Sequence, residues 1–160
     1  MNKEIQSIIR NLQNVLDGEP WFGRSVYPIL DEIDESKVNI KPNDNSHSLL
    51  ELLYHMNTWT AFTLKSLEKA GRDEITAIEE MDWRNIDTAI HSWEKGLAEF
   101  RSLNETIIQL LNDKDDSLLK ETVDFRKFNY RFMLNGLIQH HIYHLGQIAY
   151  VNKLLRNHEE

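Results

Sequence analysis

Proline is absent from residues 43–160, and the whole chain has only three prolines, Pro20, Pro28 and Pro42. Glycine is nearly as scarce, at six. A β-sandwich or barrel needs turn residues every few positions, so a chain this poor in them is directed toward long helices. No strict two-residue alternation runs beyond a few positions, and no internal repeat or low-complexity segment interrupts the pattern.

Apolar residues recur at helical spacing in four stretches. Residues 3–16 carry Ile5, Ile8, Ile9, Leu12, Val15 and Leu16, and Asp17-Gly18-Glu19-Pro20 stops them. A short helix is expected over about residues 22–33, with Pro28 kinking it or opening a new segment. Residues 34–46 read as a polar connection. The second long helix is expected from Ser46 or Asn45 as N-cap to Gly71 as C-terminal glycine. A connection of about a dozen residues then leads to Arg84. A third helix is expected over residues 85–111, a charged connection with Val123 and Phe125 as its buried points, and a fourth helix over residues 128–155. Each long helix has one apolar stripe to bury, which predicts an all-α four-helix bundle with a short extra helix after the first, in a single domain over residues 1–160.

Composition removes several functions. The formal charge is -8, from 18 Lys+Arg against 26 Asp+Glu, with no basic stripe, which argues against nucleic acid and against an anionic membrane surface. No apolar run approaches a membrane span, and residues 1–16 have no signal-peptide core, so a cytoplasmic location is expected. There is no cysteine, which excludes a disulfide framework, a Cys-ligated metal and a protein thiol nucleophile. No phosphate loop, nucleophile elbow or EF-hand loop is present. The acidic runs at residues 31–35, 79–80, 113–116 and 159–160 read as solvated surface, and Trp59, Trp83 and Trp93 as core, with Trp59 also a candidate pocket residue. Phe22-Gly23-Arg24 reads as a loop glycine beside a solvated arginine.

The histidines carry the chemistry. Seven are present, His47, His55, His91, His140, His141, His144 and His158, and three crowd into Gln139-His140-His141-Ile142-Tyr143-His144. Residues i and i+4 stack on one helix face, so His140 and His144 project together, the spacing of paired imidazole ligands. His144 falls in the apolar stripe of its helix, where an imidazole needs a metal or a hydrogen-bond partner. His141 stands three residues before His144 and competes with His140 on spacing alone. His55 lies mid-helix, one turn before Trp59. Three histidines on two facing helices would leave an open coordination position, as catalytic rather than structural sites do. Tyr143 and Gln147 are candidates to fix a histidine tautomer.

Leu52-Leu53-Tyr54-His55-Met56-Asn57-Thr58-Trp59, followed by His140-His141-Ile142-Tyr143-His144-Leu145-Gly146-Gln147-Ile148, resembles the DinB/YfiT-like family, whose pattern is a helix-borne His-x-x-x-Trp and a later His-x-x-Tyr-His-x-Gly-Gln-Ile. Trp21-Phe22-Gly23-Arg24-Ser25-Val26, the lead-in His47-Ser48-Leu49-Leu50-Glu51-Leu52 and Trp93 also look like members of it. The resemblance implies an up-down-down-up bundle, often a homodimer. It also implies a divalent metal, nickel or zinc, on His55, His140 and His144, with His141 a neighbour. It further implies a small-molecule substrate and either hydrolysis or S-transfer with a low-molecular-weight thiol such as bacillithiol. A non-catalytic metal-binding bundle with a structural or sensing role is the competing expectation.

Overall fold

The computed structural model describes residues 2–156, so His158 and Glu159-Glu160 lie outside the described residues. Six α-helices follow in order: α1 (Lys3–Asp17), α2 (Val26–Asp31), α3 (Leu49–Leu67), α4 (Arg72–Glu79), α5 (Trp93–Asn112) and α6 (Tyr130–Arg156). Single 3-10 turns lie at Glu35–Lys37 and Leu118–Lys120. Among the described residues there is no strand, only an isolated antiparallel bridge between Thr122 and Asn129. No described helix is long and apolar enough to cross a membrane.

Helix α3 packs against α5 and α6, and α1 packs against α6, α5 and α2. All six apolar residues expected on the face of α1 are buried. The acidic run at 113–116 is not simply solvated. The Asp116 carboxylate accepts the backbone N–H groups of Glu4 and Ile5 and so satisfies donors that the first turn of α1 leaves unpaired. At the α3–α5 crossing, Gly96 lets the helices approach closely. A Cβ there would stand 2.9 Å from the Tyr54 ring and 3.0 Å from Leu53.

Several expected boundaries move, each for a local reason. Helix α2 is only six residues long, and Pro28 sits in its first turn, where no intrahelical N–H bond is lost, so it opens a segment and does not interrupt one. Helix α3 starts after Ser48, not Ser46 or Asn45. Ser48 Oγ accepts the Glu51 N–H while the Glu51 carboxylate accepts the Ser48 N–H, a complete capping box. Gly71 does not end α3. Lys69 takes the left-handed conformation (φ 59°), with Lys69 N–H bonded to Ser66 O and Ala70 N–H to Lys65 O. Gly71 instead precedes α4, which fills the expected connection. Helix α5 begins at Trp93, not residue 85. The Asp87 carboxylate accepts the Ala89 N–H, turning the chain, and Ser92 caps the helix. Val123 is buried, but Phe125 is exposed with φ 64° and lies under Arg72.

Two contacts set the phase of the long helices around the centre. The capping box fixes where α3 begins. At the other end, Tyr130, fully buried at the first residue of α6, donates its hydroxyl to Ser66 O near the end of α3 at 2.7 Å. Between them, the middle turns of α3 and α6 face each other.

Candidate metal centre

His55 on α3 and His140 and His144 on α6 converge where those helices face. Their ligand nitrogens all lie within 4.8 Å of one another. His55 Nε2 is 3.0 Å from His144 Nε2 and 3.1 Å from His140 Nε2. Three nitrogens about 2.0–2.1 Å from one tetrahedral Zn²⁺ would sit about 3.3 Å apart. The two spacings from His55 are within a few tenths of an ångström of that.

The outer nitrogens decide the tautomers. His55 Nδ1 lies 2.5 Å from Asp82 Oδ1, and His144 Nδ1 lies 2.6 Å from Gln147 Oε1. Both partners are acceptors, so both Nδ1 atoms carry the proton and donate it. In the neutral rings, Nε2 of each is then a bare lone pair. Two lone pairs 3.0 Å apart repel unless a cation lies between them. His140 could relieve its own contact by donating from Nε2, but its Nδ1 is buried without a partner, and the His55–His144 contact has no such remedy. Protonation is a poor remedy. Burial pushes His55 and His144 below the usual imidazole range, and burial with the neighbouring histidines pushes His140 down to about 3. The donor set fits a divalent cation, which wants neutral imidazoles each with its far N–H held by an acceptor.

Asp82 and Trp83 come from the segment between α4 and α5. Asp82 also accepts the Trp59 Nε1–H, at 3.3 Å. Trp83 is a sandwich filling. Its ring stacks on His55 at 3.8 Å and 14°, and on His47 at 3.7 Å and 13°. It is therefore not a core residue, and it holds φ at 46°, a conformation that costs a bulky side chain of order 1–3 kcal/mol. Arg84 pins the segment to α3, donating to Thr58 Oγ1 at 2.6 Å and to Met81 O at 3.2 Å.

The remaining candidates separate clearly. Gln147 touches His144 as described, and Trp59 lies at the rim beside Asp82. Tyr143 is mostly exposed and meets His144 ring to ring at 4.9 Å, so it holds no histidine tautomer. His141 turns away, one residue and about 100° round the helix from His140. It is fully buried, 2.9 Å from Asn104 Oδ1 on α5 and against Phe100. Gly23 and Arg24 are outside the site, Arg24 pairing with Glu32. Sequence reasoning missed Asp82, Trp83 and His47. An aspartate and a tryptophan side by side in a charged loop carry no periodicity, and only the path of the chain brings them to His55.

The sequence model of the DinB superfamily matches residues 23–148. The chain belongs to the DinB superfamily. The match contains all three converging histidines, Asp82 and Trp83. No curated protein and no solved structure matches the chain significantly.

Proposed function

We propose that this DinB superfamily protein is a divalent-metal-dependent enzyme acting on a small molecule, with nickel or zinc on His55, His140 and His144. The observation that carries the reading is the 3.0 Å approach of His55 Nε2 to His144 Nε2, with an acceptor at the Nδ1 side of each ring that assigns the proton there. Among the described residues no fourth His, Asp or Glu joins the trio. Structural zinc sites close with four protein ligands, whereas catalytic ones hold three and leave a position for water or substrate. That favours catalysis over the structural or sensing role.

A cation held there supplies Lewis acidity and lowers the pKa of water or of a thiol that reaches it. The chain's own residues do the rest. Asp82 and Gln147 keep His55 and His144 in the ligating tautomer. Trp83 covers one face of His55 and keeps water from it. With no cysteine in the chain, a sulfur nucleophile has to arrive as a low-molecular-weight thiol, so the two chemistries are S-transfer from such a thiol and hydrolysis. The same reading includes the up-down-down-up four-helix arrangement, a cytoplasmic location and a homodimer. For the homodimer, the exposed Phe132, Tyr143 and Tyr150 along one outward face of α6 are supporting observations.

The test is turnover by metal-reconstituted protein of an electrophile with bacillithiol, and of an ester without it. The expected result is activity in one assay, lost on chelation and lost in a His144→Ala variant that keeps its helical circular dichroism. Metal bound in full with neither activity would instead favour the non-catalytic role.

A further inference from the structure

A second feature adjoins the trio. Between α3 and α6 lies a cavity of 170 Å³ walled by Trp59, Phe62, Phe128, Met133, Leu137 and His140. His140 is common to both, with its Nε2 toward His55 and its ring on the cavity wall. The polar groups around the cavity are already used, except His140 Nδ1, which is buried without a partner and adds no accessible surface. Thr63 donates its hydroxyl to Trp59 O, and Trp59 donates its indole N–H to Asp82. What remains for an occupant is hydrocarbon and aromatic surface, which favours an apolar group over a charged one. A larger cleft of 480 Å³ at Tyr27 and Arg101 contains none of the trio, and Arg101 there is already paired with Asp31.

Size narrows the occupant. An engineered cavity of about 150 Å³ lined by Leu, Ile and Phe binds benzene. The present pocket is of that order and open on one side, so its walled part holds a phenyl ring or a branched alkyl group of about six carbons, with the rest of a ligand outside it. Gly136 supports the same reading. It lies in the interior of α6, one turn before His140 and on the cavity wall, and a Cβ there would meet nothing within 4 Å. Glycine costs a helix interior about 1 kcal/mol against alanine, and no close packing demands it here.

We infer that the cavity is the specificity pocket of the site. The substrate carries a compact apolar group, aromatic or branched aliphatic, that enters beside His140 while its polar head faces the three Nε2 atoms. This rests on the metal reading above and adds the substrate class to it.

The test compares acetohydroxamate and benzohydroxamate, which share a chelating head and differ in the apolar group. Calorimetric titration uses zinc-loaded wild type, Gly136→Leu and Gly136→Ala, with zinc content measured for each. The expected result is benzohydroxamate binding at least about tenfold tighter than acetohydroxamate in wild type. The preference should shrink in Gly136→Ala and fall below about threefold in Gly136→Leu, with zinc content unchanged. If Gly136→Leu fails to fold, the smaller change in Gly136→Ala decides. Zinc bound with equal affinity for both ligands, or a preference insensitive to residue 136, overturns the pocket and leaves the metal reading standing. No zinc bound, and neither hydroxamate bound, overturns both.

Discussion

Asp82 holds the ring of one of the three converging histidines from outside the trio. Its Oδ1 accepts from His55 Nδ1 at 2.5 Å and from Trp59 Nε1 at 3.3 Å, and the His55 ring it holds is buried. A hydrogen bond to an ionised group contributes about 1.5–3 kcal/mol net, and one between neutral groups about half that. Asp82→Asn keeps an acceptor but drops the charge, so it should weaken the orientation of His55 by about 1 kcal/mol and lower its basicity. Asp82→Ala leaves Nδ1–H with no protein partner. Loss of such an outer partner costs about 10–100-fold in metal affinity, or about 1.4–2.7 kcal/mol. The expected order is therefore wild type, then Asn weaker by about fivefold, then Ala weaker by up to about a hundredfold. Competition against a chromophoric chelator with Zn²⁺ measures this directly, with circular dichroism as the check on folding. Glu80→Gln, an exposed carboxylate two residues away, is the control and should match wild type. Affinities within twofold across all four proteins would refute the reasoning, because Asp82 would then not be orienting a ligand.

Three further outcomes are expected. Gly96→Ala should lower Tm by about 2–4 °C in a thermal melt. The methyl group strikes the buried Tyr54 ring, an overpacking cost of about 1–3 kcal/mol that outweighs about 1 kcal/mol of helix propensity. Stability should fall as pH drops below about 6.5. Burial holds His141 near 3 in the folded protein while an unfolded histidine titrates near 6.5. The unfolded state therefore binds more protons throughout that window, and the contribution is intact only above it. Urea midpoints at pH 7, 6 and 5 should decline steadily in wild type and less steeply in His141→Leu. Adding Zn²⁺ at about a hundred times its Kd should raise stability by about 2.7 kcal/mol, or about 5–11 °C in Tm. Chelation should reverse it, and His55→Ala should abolish it.

The sequence is most informative where a regular helix does the positioning. His140 and His144 share a face because they are four apart, and Gln147 follows His144 by three, so a phase argument on α6 alone assembles that half of the centre. His55 and Trp59 repeat the relation on α3. The fold class was legible for the same reason, since scarcity of proline and glycine and four apolar stripes leave little but helices. The choice of His140 over His141 was not legible from spacing. Both are near His144, and the choice depends on which helix each side faces. His140 faces α3 and His55, while His141 faces α5 and Asn104. Nor was the 80–92 segment. Ile86, Ala89 and Ile90 fit a helical stripe, yet Asp87 offers its carboxylate to the Ala89 N–H and the chain turns instead. That local competition delays α5 to Trp93 and frees the preceding residues to carry Asp82 and Trp83 onto His55. The positive φ at Trp83 and Lys69 was equally hidden, because neither residue type favours that conformation.

The central claim is that His55, His140 and His144 hold one divalent cation, and elemental analysis tests it most directly. The protein, prepared without a histidine tag, is reconstituted with Ni²⁺ and Zn²⁺, desalted and measured by plasma mass spectrometry beside His55→Ala and His141→Leu. The account predicts about one equivalent of metal in wild type and in His141→Leu, and close to none in His55→Ala. Absence of stoichiometric metal from wild type, or full retention in His55→Ala, would contradict it.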